Sequence, residues 1–263
     1  MARWFTKLDD LILFHPRRWP HREAVGRGTA LAIVTAFLVW KVIHFDDFPQ
    51  SYETARRFYG TLRLPGGMPL YGPVAMAVLW GIKLAVWLVE TLIYMGYIGA
   101  YLSRSRAVAV AEGFMETVFP IVVAGLPVVM AMSPYNLPQW MPFTARAHLP
   151  FYLLVMSLVL GGGLLNIVGL LTLRRAFTIM AEARDLVTDG PFRWVRHPLY
   201  TGHFVMFLGS LILRLHFYTV ALYLLFVAGQ VWRAKIEERK LVRVFPRYDD
   251  YRRRTGMFFP RWR

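Results

Sequence analysis

The sequence predicts an all-α, polytopic integral membrane bundle of about six transmembrane helices. Three observations carry this. Apolar residues make up 56% of the chain and come in long runs, several of which reach the ~20 residues a helix needs to cross ~30 Å of hydrocarbon. The period-two alternation of an outer-membrane barrel is absent. Lys and Arg gather at the ends of the runs, on one side of the membrane far more than on the other.

Taken in order, residues 3–14 place Trp4, Phe5, Leu8, Leu11 and Ile12 on one helical face, with Arg3, Lys7, Asp9 and Asp10 elsewhere. That is the pattern of an interfacial amphipathic helix. Its apolar stretch, Leu11 to Phe14, is too short for a secretory signal. Residues 15–27 are polar and contain Pro16 and Pro20. Spans are expected at about 28–45, 74–102, 107–132, 150–173, 199–215 and 217–237, the last two as a tight hairpin. The second run is long enough to tilt. Gly161, Gly162 and Gly163 mark either a close helix crossing or a kink.

With the N-terminus inside, the inner loops and ends carry 24 Lys and Arg against 5 outside. That bias places both termini in the cytoplasm, with a bacterial-type inner membrane as the expected location. No internal repeat is visible. The organisation is an interfacial segment (1–27), an N-terminal helical part (28–149) and a C-terminal part (150–263).

The net charge of +15 would indicate nucleic acid in a soluble chain. Here the cations flank apolar runs, so membrane lipids are the expected partners, with no nucleic acid and no obligate protein partner. The absence of cysteine excludes disulfides, thiolate metal sites and a cysteine nucleophile.

The chemistry gathers in two stretches. The first, Arg174 to Gly202, ends GPFRWVRHPLYTG; the second runs IEERKLVRVFPRYDDYRRRTGMFFPRW from Ile236 to Trp262. A two-span hairpin between them returns Glu237 and Glu238 to the level of Arg196, His197 and Pro198. Cations, carboxylates and aromatic faces thus meet at the cytoplasmic end of the hairpin. From the residues alone, such a pocket suits a cofactor with both charges and an aromatic base, and does not separate S-adenosyl-L-methionine from NADPH.

GPFRWVRHPLYTG is similar to the G-P-[YF]-R-x-x-R-H-P-x-Y-x-G signature of the isoprenylcysteine carboxyl methyltransferase and phospholipid methyltransferase superfamily. Glu237, Glu238, Leu241, Phe245, Tyr248 and Tyr251 fit its second motif, and the approach RxFTI…AR-LVT resembles bacterial members. The resemblance covers about residues 150–263. Pro246 stands where the family usually has Gly, and Met257 where it often has Arg.

The resemblance implies a membrane methyltransferase using S-adenosyl-L-methionine on a lipid or lipophilic acceptor, a carboxylate, amine or thiol. By it Arg196, His197 and Glu238 are catalytic. Arg196, His197, Pro198, Tyr200, Gly202, Glu237 and Glu238 bind the cofactor, and Leu186, Val187 and Gly190 form the preceding wall. The competing readings are an NADPH-dependent sterol or enone reductase, in which Asn commonly stands where this chain has Leu199, and a non-enzymatic membrane protein with a relic site.

Plainer roles stand beside these. Arg196 can be a positive-inside anchor, and Glu237 and Glu238 can pair with Arg233, Lys235 or Lys240. Arg252 to Arg254 read as a lipid-surface anchor. Lys83, Glu90 and Glu116 lie in or near apolar runs, where charge is costly, and are the candidates for the acceptor side. Lys83 and Glu90 stand ~10 Å apart along one helix, so each needs another partner. No metal site is expected from His197 with His203, or from His44, Asp46 and Asp47.

Overall fold

The computed structural model describes residues 22–43, 73–131, 145–213 and 215–261. Most of the expected interfacial segment, and His44, Asp46, Asp47 and Trp262, lie outside the described residues, as does the side chain of Lys83. The described elements are α1 (Arg22–Ile43), α2 (Pro73–Ser103), α3 (Gly113–Ala131), α4 (Ala145–Leu173), α5 (Pro198–Leu213), α6 (Phe217–Val244) and the short α7 (Tyr248–Arg254). Single 3-10 turns stand at Arg174–Ala176 and Gly190–Arg193. Among the described residues no strand forms; two isolated bridges are present.

Among the described residues, four helices are long and apolar enough to cross a membrane: Trp80–Ser103, Gly113–Met130, Leu153–Ala176 and Phe217–Val244. This is the make-up of an integral membrane protein. The first and fifth expected spans correspond to shorter apolar stretches, Ala30–Ile43 and Pro198–Ile212. Three boundaries move. α1 begins at Arg22, inside the segment read as polar. α3 begins at Gly113 rather than near 107, because Val108 and Ala109 pair with Ala183 instead. α6 runs to Val244, about two turns past the expected end.

Helix directions follow from the contacts. Lys41 meets Glu90 and Phe37 stacks with Tyr94, so α1 and α2 are antiparallel. Gly96 lies against Leu170, and Gly163 against Val89 and Ile93, so α2 and α4 are parallel. Gly229 abuts Val123 while Lys240 bonds Glu116, making α3 and α6 antiparallel. These pairings all agree with a chain that reverses direction at each successive helix.

The tightest crossing is α4 on α5. A Cβ on Gly162 would lie 2.5 Å from the Gly202 carbonyl oxygen, and one on Gly202 would lie 2.7 Å from the Gly162 oxygen. The two backbones touch there as small-residue membrane crossings do. Of the three consecutive glycines, Gly162 and Gly163 face neighbouring helices, while Gly161 faces open space. Asn166, almost fully buried, donates to the Gly162 carbonyl and stands beside the same crossing.

Between α4 and α5 the chain is irregular yet well held. Ala183 exchanges backbone hydrogen bonds with Ala109 at 2.8 and 3.1 Å. Lys240 of α6 donates to the carbonyls of Val110 and Ala181 as well as to Glu116. One ammonium thus joins three segments. Arg184, 2% exposed, bonds Glu182 at 2.6 Å, and Arg104 stands 3.7 Å from the same carboxylate. Val187 packs on a core of Ala100, Tyr101, Leu170, Phe177, Phe192 and Leu199.

Candidate functional site

Pro198 opens α5. Its ring pre-sets the backbone for a first helical position, where its missing N–H costs nothing. This leaves His197 and Arg196 in the non-helical segment just before the helix. Their backbone N–H groups donate to the carbonyls of Met257 and Gly256, at 3.1 and 2.8 Å, so the C-terminal segment lies directly on them. Phe258 then reaches the His197 ring, 5.8 Å between centroids.

The hairpin does bring both motifs together. Arg196 Nε donates to Glu238 Oε1 at 2.6 Å, and Nη2 reaches Oε2 at 3.4 Å. His197 Nε2 stands 3.2 Å from the same Oε1. Tyr200 Oη donates to Glu237 Oε1 at 2.6 Å. Arg233 Nε donates to that oxygen at 3.0 Å, and its guanidinium lies 5.1 Å over the Tyr200 ring. His197 and Tyr200 are stacked nearly flat, 5.2 Å apart at 4°.

Arg233 is the residue that sequence reading placed too low. It entered only as a salt-bridge partner for a glutamate, yet it is 5% exposed and also donates to the Ile179 carbonyl at 2.5 Å. Its signal was available: Arg233 and Glu237 are four residues apart, the spacing of a helical ion pair. Arg196, expected to face a cofactor, has a further use: Nη1 donates to the carbonyls of Arg252 and Thr255. Most of its donors therefore hold Glu238 and the C-terminal segment.

Around the motif the other candidates separate. Gly190, φ +55, starts the 3-10 turn and lies against Thr172; glycine suits that left-handed conformation. Leu186 is half-buried, and Val187 turns to the core described above. Gly202 meets α4. Glu90 pairs with Lys41 at 2.5 Å, with Lys41 also 5.4 Å from the Trp87 ring centre. Glu116 is taken by Lys240 and by the Glu112 backbone N–H. A cleft of about 220 Å³ lies beside that pair, lined by Glu112, Met115, Glu116, Ile236, Arg239, Lys240 and Arg243. It is separate from the paired motif.

On the C-terminal segment, burial pushes the Tyr251 hydroxyl up to about 12, with nearby Arg196 opposing the shift. Tyr251 donates to the Phe192 carbonyl at 2.5 Å. Tyr248, almost fully buried, is raised further, first by burial and then by Glu238.

The donor set fits S-adenosyl-L-methionine. Glu238 Oε2 has only a 3.4 Å contact, and Glu237 Oε2 stands 3.9 Å from His197, so both carboxylates retain accepting capacity for hydroxyls or an ammonium. Two arginines and two glutamates balance, and the stacked rings offer faces to a cation.

Two relatives share part of the chain. The nickel-cobalt-cadmium resistance protein NccN of Alcaligenes xylosoxydans xylosoxydans is 42% identical over 82 residues, 30% of this chain and 38% of that protein. The cobalt-zinc-cadmium resistance protein CzcN of Cupriavidus metallidurans is 38% identical over 78 residues, 29% of this chain and 36% of that protein. The matched region spans well under half the length of each. Residues 153–243, which hold the first motif and the paired glutamates, match the isoprenylcysteine carboxyl methyltransferase (ICMT) family.

Proposed function

We propose that this protein is an integral membrane methyltransferase that uses S-adenosyl-L-methionine and modifies a lipid or lipophilic small molecule. The observation that supports it best is the meeting of Arg196, His197 and Tyr200 with Glu237 and Glu238 across the α5–α6 hairpin. The reading rests on that site within a family-matched segment, not on the relatives' names, which concern resistance to metal ions.

The cofactor would supply an already activated methyl group, so the protein's part is placement and exclusion of water. Glu237 and Glu238 accept from the cofactor's hydroxyls and ammonium. The rings of His197, Tyr200 and Phe258 give aromatic faces. Arg196 and Arg233 hold the two carboxylates in place for that role. The acceptor enters laterally from the bilayer. Six spans, with both termini cytoplasmic, put the site at the inner surface, where the cofactor is made.

The test is calorimetry with purified protein. S-adenosylhomocysteine is expected to bind, His197→Ala and Glu238→Gln to weaken it by about tenfold or more, and labelled methyl groups to enter a membrane lipid or thiol pool. No binding, together with a silent His197→Ala, sinks the proposal. Binding of NADPH instead moves the protein to the reductase reading.

A further inference from the structure

One turn beyond Tyr200, α5 carries His203. Its Nε2 stands 2.9 Å from Tyr97 Oη of α2, and its ring stacks on Phe207, 5.8 Å away. Its Nδ1 is buried and has no hydrogen-bond partner. On α6, Gln230 is 2% exposed, and its Oε1 is likewise buried without a partner.

The two belong to one level of the bundle. Phe226 of α6 meets Phe204 and Phe207, while Arg233 covers Tyr200. Gln230 falls between Phe226 and Arg233, so the antiparallel register sets it opposite the Tyr200–His203 turn. A polar atom left unmatched in an apolar interior costs free energy, and inside a membrane protein it marks a functional position by default.

We infer that His203 Nδ1 and Gln230 Oε1 receive the head group of the methyl acceptor, and that this head carries hydrogen-bond donors: a neutral amine, a hydroxyl or a thiol on a lipophilic tail, not a carboxylate. The amide oxygen only accepts. In the tautomer this site uses, Nε2–H donates to Tyr97 Oη and Nδ1 presents a lone pair. A carboxylate ion brings only lone pairs to these two atoms. The nearby cation, Arg233, pairs with Glu237 and donates to the Ile179 carbonyl, and its charge disfavours an ammonium head. His203 and Gln230 are positioning residues here: they orient the head and take no proton from it.

Calling this ligand the acceptor rests on the methyltransferase reading; its binding at this level does not. The experiment uses the full chain in nanodiscs and five probes with the same C12 tail: dodecanol, dodecylamine, dodecanethiol, dodecyl methyl ether and dodecanoate. Binding is followed by the ligand-dependent rise in unfolding midpoint. The alcohol, and the amine at a pH that keeps it neutral, are expected to bind about tenfold tighter than the ether and the carboxylate. His203→Phe and Gln230→Leu should each erase that preference. Equal binding of alcohol and ether, or dodecanoate binding as tightly, overturns the inference; so does a preference that survives both variants. The wild-type probe series decides even if a variant fails to fold. S-adenosylhomocysteine is titrated in parallel. Loss of its binding with the head preference intact fells only the methyltransferase reading, and the converse fells only the head-group site.

Discussion

Arg196 and Glu238 face each other across the hairpin at 2.6 Å, and the same guanidinium holds the carbonyls of Arg252 and Thr255. One side chain therefore fixes both the paired motif and the C-terminal segment that covers it.

Arg196→Lys should separate these roles. An ammonium is a point donor and cannot span the Glu238 carboxylate and two carbonyls at once. The substitution is expected to release the C-terminal segment, so trypsin should cut at Arg252 to Arg254 at least severalfold faster than in the unaltered protein. Unchanged cleavage would mean that Tyr251 and the backbone bonds suffice.

Tyr200→Phe keeps the ring stacked on His197 but removes the donor to Glu237. A hydrogen bond to a charged group contributes roughly 1.5–3 kcal/mol. The expected outcome is a loss of about tenfold or more in S-adenosylhomocysteine affinity by calorimetry, with the α-helical circular dichroism unchanged.

The α4–α5 crossing gives a paired control. Gly162→Ala sets a methyl group 2.5 Å from backbone, whereas Gly161→Ala meets nothing within 4 Å. Overpacking of this kind costs about 1–3 kcal/mol. Thermal unfolding should show a clear drop for the first and little change for the second.

Tyr251 makes the C-terminal segment sensitive to alkali. Its folded value, about 12, lies above the ordinary tyrosine value of 10.0. The protonated hydroxyl's contribution is therefore complete below pH 10 and is lost as pH rises through about 12. Protease sensitivity at Arg252 to Arg254 should increase across that window, and Tyr251→Phe should abolish the pH step.

The Lys41–Glu90 pair invites a double-mutant cycle. Removing either partner alone leaves a charge among apolar neighbours, while removing both does not. Lys41→Met and Glu90→Gln should each lower the unfolding midpoint by more than the double variant does.

Much of the site was legible because its parts are local. The spacing of His197 and Tyr200, the adjacent Glu237 and Glu238, and a hairpin of near-equal arms suffice to predict that the two motifs meet. The partners of the charged residues were not legible. Glu90 finds Lys41 on α1, Glu116 finds Lys240 on α6, and His203 finds Tyr97 on α2. Such choices depend on which helix faces abut, and apolar runs of nearly uniform hydropathy carry little record of that. The use of Arg196 on carbonyls was hidden for another reason: backbone acceptors have no residue signature. The α4–α5 crossing was half legible, since three glycines mark either a close crossing or a kink and do not say which of them makes the contact.

α6 runs unbroken from Phe217 to Val244. It carries Phe226, Gln230, Arg233, the two glutamates and Lys240 on one rod. At ~1.5 Å per residue, Gln230 and Glu237 are held about 10 Å apart in depth. On the proposed reading the helix would act as a fixed ruler, matching a water-borne reagent at one mark to a lipid's head at another.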